Sequence, residues 1–182
     1  MEIDRIVDVY MRESGVRKPS SCLPTALRSA IGAPVPRKIT SWHARQGEAR
    51  TKELMKDACL VGIQEGAQSA EAFLQNRDRA ISIFDELKQI FDMFRMARRT
   101  NTQFGQKVRT LHIQARNMTR REIHTSLKNG NQIIMLGDQE GVPHAVHVGW
   151  NRKSYIDLAR GEVIHIKGIR RASPLVLEVR KK

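Results

Sequence analysis

Residues 132–158, QIIMLGDQEGVPHAVHVGWNRKSYIDL, decide the fold class of this 182-residue chain. Short β-branched runs alternate there with Gly, Asn and Pro, a composition typical of strands joined by tight turns. The predicted strands are Gln132–Leu136, His144–Trp150, Ser154–Leu158, Val163–Lys167 and Leu175–Val179. The last third of the chain is therefore predicted to form an antiparallel β-meander.

Earlier in the chain the apolar residues follow a helical period. We expect a first helix that includes residues 3–10 and is ended by Gly15, a short helix from Cys22 to about Ala30, and helices over residues 51–64 and 71–97. Residues 37–50 are expected to be irregular.

The stretch that joins the helical and strand-rich parts gives two weaker signals. Val108, Leu111 and Ile113 hint at a strand. Thr119 and Glu122 form a capping box that opens one more helix. Helices followed by strands predict one α+β domain over residues 1–182, helical to about residue 130 and sheet from about residue 131.

The chain is strongly basic, with 32 Lys and Arg against 19 Asp and Glu and a net charge of +13. Such a surface attracts nucleic acid, an anionic membrane or an acidic protein. The apolar runs are far shorter than the ~20 residues of a membrane-spanning helix. The charged start of the chain lacks the pattern of an export signal. We therefore expect neither a transmembrane segment nor a signal peptide.

Of the two cysteines, Cys22 is the candidate nucleophile. Ser21 is a good N-cap and Pro24 is tolerated in a first helical turn, so Cys22 is predicted to lie at a helix N-terminus. Free amides and the helix dipole stabilise a thiolate there, and the Cys22 amide can face an oxyanion. Taken alone, this segment is equally compatible with a buried core cysteine. Cys59 lies in an apolar stretch and is expected to be a core residue.

A histidine and an aspartate on the predicted hairpin complete the candidate site. His144 begins one strand and Asp157 lies near the end of the next, across a turn at residues 151–154. We expect the two to lie nearly opposite each other, so that Asp157 orients the ring of His144. His147 is the competing histidine, but strand alternation places it on the opposite face from His144. That separation also argues against a metal site, and no cofactor is expected.

The segment Cys22-Leu-Pro-Thr-Ala-Leu resembles the helix start of bacterial papain-like peptidases. His144-Ala-Val is similar to the strand start that carries the papain histidine, and Tyr-Ile-Asp with a Gly four residues after Asp157 resembles the papain-fold toxin and effector domains of bacteria. The resemblance covers about residues 18–32 and 119–163. Ser20 and Ser21 stand where the papain pattern carries an oxyanion-hole glutamine, and they become the candidate oxyanion or substrate-binding residues.

The resemblance implies a cysteine amide hydrolase with the triad Cys22, His144 and Asp157. It further implies a bacterial toxin or effector, secreted and acting in the cytoplasm of a target cell, that deamidates glutamine in a protein substrate or cleaves it. An acidic immunity protein or host protein is the partner that the positive charge favours.

Two other functions remain open at this point. A basic ribonuclease or RNA-binding toxin would use His144 or His165 with Lys167, and it explains the charge better, although nucleic acid is not the favoured partner. A catalytically inactive papain-like module would bind without chemistry.

Overall fold

The computed structural model describes residues 2–13, 22–64, 83–139, 142–164 and 174–182. Six helices are described: α1 (Glu2–Glu13), α2 (Cys22–Ile31), α3 (Arg37–Gln64), α4 (Ile83–Arg98), α5 (Gln103–Arg109) and α6 (Arg120–Lys128). Six strands are described: β1 (Leu111–Asn117), β2 (Gln132–Gln139), β3 (Val142–Trp150), β4 (Tyr155–Asp157), β5 (Glu162–Val163) and β6 (Leu175–Lys181). The predicted α+β class is confirmed at this level.

The strands form one antiparallel sheet in the order β1-β6-β2-β3-β4-β5. From β2 to β5 it is the predicted meander, but β6 returns to pair with both β1 and β2. A simple meander over the whole sheet is therefore wrong. The division at residue 130 is also wrong, because β1 belongs to the sheet although α6 follows it in the chain.

Helices cover both faces of the sheet. The α2 face carries Ile134, Leu136, Ala145 and Leu177, which share the larger core with α2, α4 and α5. The α6 face packs against Met118 and Ile123 and carries the strand residues of the smaller core, which are Ile133, Val146, Val148, Tyr155 and Val176. This division of the strand side chains determines which residues can meet at a site.

Helix α2 starts at Cys22 and ends where the sequence predicts. Gly32 follows it with φ of +80° and donates its amide to the Arg28 carbonyl at 2.9 Å. A left-handed residue after the last turn is the usual glycine-dependent way to end a helix.

The expectation that residues 37–50 are irregular is wrong, because α3 runs unbroken through them. Its apolar pattern is weak and Gly47 interrupts it, so periodicity gave little signal. The helix is held instead by its neighbours. It packs against α1 and α4, and Lys52 and Lys56 form ion pairs with Asp8 and Asp4 of α1.

The weak strand signal near residue 110 combines two elements. Val108 is a buried residue of α5, whose N-cap Thr102 accepts a hydrogen bond from the Gly105 amide at 3.0 Å. Leu111 and Ile113 do lie in β1. The strand is therefore confirmed, and the short helix before it was missed.

A buried carboxylate fixes α6 to the sheet. Glu178 of β6 is 3 % exposed, accepts a hydrogen bond from Ser126 at 2.5 Å, and forms ion pairs with Arg116 and Arg180. The predicted capping box of Thr119 and Glu122 is present at the start of the same helix. Helix α6 therefore has a fixed position relative to β2 and β3.

None of the helices in the described ranges is long and apolar enough to span a membrane.

Candidate active site

Cys22 is the first residue of α2 and is 7 % exposed. The first amides of a helix have no carbonyl partner within that helix, and helix starts are common places for anions to bind. The side chain also belongs to the larger core on the α2 face. The position suits a nucleophile, and the burial suits a core residue.

The predicted contact between Cys22 and His144 is not formed. The ladder between β2 and β3 is continuous from Ile133–Val148 to Gln139–Val142, with no bulge. Side chains alternate strictly along such a strand. His144 therefore lies on the same face as Val146 and Val148, which is the α6 face, whereas Cys22 packs on the α2 face.

The predicted opposition of His144 and Asp157 is wrong for a related reason. Asp157 is paired with Val148, four residues along β3 from His144. Four strand residues span about 13 Å, well beyond hydrogen-bonding distance. The carboxylate instead accepts hydrogen bonds from the amides of Ala159 at 2.9 Å and Arg160 at 3.3 Å, closing the turn after β4.

His147 is the histidine of β3 that faces α2. Its ring is 3 % exposed and is held at both nitrogens. Nδ1 lies 2.6 Å from the Ser29 hydroxyl of α2, and Nε2 lies 2.6 Å from Oε1 of Gln132 on β2. An amide oxygen only accepts, so Nε2 carries the proton and the Ser29 hydroxyl donates to Nδ1.

The surroundings of His147 favour its neutral form. Burial lowers the pKa of His147, and the charge of the nearby Asp157 carboxylate offsets only part of that effect. The histidine whose charged form Asp157 favours is therefore His147, and not His144 as the sequence predicts. The sequence placed His147 on the correct strand face without showing that this face meets the helix.

Ser29, His147 and Gln132 form a hydroxyl–imidazole–amide series that resembles a nucleophile with its base and an orienting group. Ser29 is the eighth residue of α2, so its amide and those around it are bonded within the helix. No free amide is left there to stabilise an oxyanion. The series therefore serves to fix α2 on the sheet, and Cys22 is left as the candidate nucleophile.

His147 contacts Ser29, and Ser29 lies seven residues after Cys22 on α2. Seven residues, or two helical turns, span about 10 Å. His147 is held at the Ser29 end, so the described residues do not bring either histidine of β3 to Cys22.

A cleft that the sequence did not reveal lies where α6 ends and β2 begins, with a volume of about 260 Å³. His124 and Trp150 line it, and their rings meet edge to face with centroids 5.5 Å apart. Lys128, Asn131 and Gln132 add an ammonium group and two amides. The signals in the sequence were Trp150 at the end of a strand and the amide-rich turn at 129–132.

Several predicted residues lie outside the described part of the chain: Ser20, Ser21, His165 and Lys167. The side chain of Cys59 is also outside it, although its backbone belongs to α3. Within the described ranges no group of three or more His, Cys, Asp or Glu side chains could hold a metal ion.

Comparisons with protein-family models, with curated proteins and with solved structures find no match to this chain. Functional assignment therefore depends on the chemistry of the residues described above.

Proposed function

We propose that the chain is a cysteine-dependent amide hydrolase in which Cys22 is the nucleophile. The observation that carries this is the position of Cys22 at the first residue of α2, on a helix that packs against the histidine-bearing strand β3. Attack by the Cys22 thiolate on an amide carbonyl would give a tetrahedral oxyanion at the start of α2. The C–N bond then breaks, ammonia or an amine leaves with a proton from the general base, and water hydrolyses the resulting thioester.

His144 is the general base in this proposal, and its role requires a change at the start of β3. A one-residue bulge before Ala145 would turn His144 from the α6 face to the α2 face and leave His147 on Ser29. Asp157 is omitted from the catalytic set, because it pairs with Val148 and its carboxylate caps the following turn.

The chemistry of the thioester allows glutamine deamidation, proteolysis or transfer to an amine. We place side-chain deamidation first, within a toxin or effector that acts on a protein of its target cell. This choice follows from the resemblance to bacterial papain-fold effectors, and the net charge of +13 supports an acidic protein as the binding partner.

The arrangement of β3 favours a second candidate, a papain-like module that binds without catalysis. His147 is locked between Ser29 and Gln132, and His144 lies on the face away from Cys22. In such a module Cys22 would be a core residue.

The two candidates differ in whether the protein changes other proteins covalently. Soluble bacterial extract would be incubated with the wild-type chain, with Cys22→Ala and with the matched control Cys59→Ser. Peptide mass spectrometry then quantifies glutamines that gain about one mass unit and new peptide termini. Thermal unfolding of each variant verifies that it is folded.

For the hydrolase we expect modified peptides with the wild-type and Cys59→Ser proteins and none with Cys22→Ala. Deamidated glutamine identifies a deamidase, and new termini identify a protease. Equal peptide profiles for all three proteins would reject the hydrolase and leave the binding module.

A further inference from the structure

The cleft beside Trp150 combines aromatic rings and side-chain amides, two kinds of group that are used to bind a nucleobase. Trp150 and His124 provide flat aromatic surfaces, and the Trp150 ring also contacts Tyr155 at a centroid distance of 4.8 Å. Asn131 donates to the Ser126 hydroxyl and the Gln132 oxygen accepts from His147, so the Asn131 oxygen and the Gln132 NH2 group are the amide atoms left for a ligand. Side-chain amides pair with base edges, and aromatic rings stack on base faces.

The dimensions of the cleft limit what can enter it. Its volume of about 260 Å³ lies just below the ~300 Å³ at which pockets for drug-sized ligands begin. It therefore suits one flat group rather than an extended peptide.

The surface around the cleft is basic. The helix α6 and residues 151–164 carry six exposed Lys and Arg side chains, which are Arg120, Arg121, Lys128, Arg152, Lys153 and Arg160. Two of the three acidic residues in these segments are engaged, since Glu122 pairs with Arg116 and Asp157 binds backbone amides. A positive surface of this kind holds phosphate groups.

Cations alone would suit an acidic protein or an anionic membrane equally well. The cleft favours nucleic acid, because a base offers both a flat face for one aromatic ring and a polar edge for the amides. A base within a duplex is stacked and paired, so only an unpaired base has its face and edge free to enter. Single-stranded nucleic acid therefore fits all the groups present.

We propose that this cleft binds one base of a single-stranded nucleic acid, with the neighbouring phosphates on the cations of α6 and of the β3–β4 turn. The site lies beside α6, away from Cys22, and it does not depend on the hydrolase proposed above.

Fluorescence is the direct test, because the chain has only two tryptophans. The variant Trp42→Phe leaves Trp150 as the only indole. It would be titrated with eight-nucleotide RNA and DNA strands of mixed sequence, with the matching duplexes, and with polyglutamate of equal charge. We expect both single strands to quench Trp150 and to bind more tightly than the duplexes or polyglutamate.

The charge variants use exposed Lys and Arg side chains, which leaves the fold intact. Trp150 packs partly buried against the smaller core, so thermal unfolding verifies that its variants are folded. Lys128→Gln with Lys153→Gln should lower the salt-dependence slope for single strands by about 1.4, or roughly 0.7 for each lost phosphate contact. Lys38→Gln with Arg45→Gln removes the same charge from α3 and should leave the slope nearly unchanged. Variants of Trp150 keep no indole in this background, so their binding is followed by the fluorescence anisotropy of a labelled strand. Trp150→Leu should weaken binding by about 5- to 150-fold, with Trp150→Phe between it and the wild type.

Three outcomes would overturn the proposal. Binding of polyglutamate as tight as that of the single strands means an acidic-protein surface. Equal effects of the α3 pair and the cleft pair mean non-specific charge. Tight binding without quenching of Trp150 means that no base enters the cleft.

Discussion

Replacement of Ser29 by Ala tests whether the His147 series fixes α2 on the sheet. The change removes the hydroxyl that lies 2.6 Å from Nδ1 of His147 and leaves Nε2 on Gln132. His147 is only 3 % exposed, so water does not readily replace the lost donor. A buried acceptor left without its donor costs about 1–3 kcal/mol, and we expect Ser29→Ala to lower the free energy of unfolding by about 2 kcal/mol.

The same series predicts a pH dependence with a defined sign. Burial lowers the pKa of His147 below its unfolded value of 6.5. Between these two pKa values the unfolded chain binds more protons than the native protein, so stability is full above pH 6.5 and falls as the pH decreases toward the native pKa. One proton limits the slope to about 1.4 kcal/mol per pH unit. In His147→Gln this contribution to the slope should disappear.

Urea unfolding followed by circular dichroism at pH 7.5, 6.5 and 5.5 measures both effects. Ser41→Ala on α3 serves as the control and should change stability by no more than about 0.5 kcal/mol. A double-mutant cycle of Ser29→Ala with His147→Gln should give a coupling energy of at least about 0.5 kcal/mol. Additive losses, together with an unchanged pH profile in His147→Gln, would refute the role given to the series.

Three further changes test the packing around the sheet. Burial alone would raise the pKa of Glu178, but the Ser126 hydrogen bond and two arginines outweigh it and lower the pKa. Stability should therefore be lost as the pH falls below about 4.5. In urea unfolding at pH 7, Glu178→Gln should lower the free energy of unfolding by about 1–2 kcal/mol, a modest loss because the two arginines are partly exposed to water. Thr119→Ala removes the α6 N-cap and should cost about 1 kcal/mol by the same method. Gly105→Ala would place a Cβ 2.2 Å from the Ala97 carbonyl oxygen, and we expect a loss of at least about 2 kcal/mol. A stable Gly105→Ala protein, a Thr119→Ala protein equal to wild type, or a Glu178→Gln protein with unchanged acid stability would each contradict the corresponding contact.

Local signals in the sequence were sufficient for much of the fold. The capping box at Thr119, the start of α2 and the strands β2, β3 and β6 all follow from short-range chemistry. The insertion of β6 between β1 and β2 did not follow, because strand order is set by contacts between residues about 40 to 70 positions apart.

The predicted opposition of His144 and Asp157 is wrong for a reason that is visible in the local sequence. The turn at residues 151–154 was predicted correctly, and Asn151 and Ser154 are hydrogen-bonded across it. That turn sets Trp150 opposite Tyr155 and hence Val148 opposite Asp157. Counting pairs outward from the turn would have separated His144 from Asp157.

The choice between His144 and His147 could not be made from the sequence. Alternation placed the two on opposite faces, but both faces of β3 are covered by apolar packing. Which face receives α2 depends on the tertiary contact between Ser29 and His147, and no local pattern encodes it.

Alkylation of Cys22 is the measurement that tests its role most directly. In a Cys59→Ser background Cys22 is the only thiol, and its rate with iodoacetamide at pH 7 can be compared with that of glutathione. A nucleophile served by His144 should react faster than glutathione, and His144→Ala should slow it at least tenfold. A native rate below that of glutathione that rises in urea and is unaffected by His144→Ala would show that Cys22 is a core residue, and would contradict the proposed hydrolase.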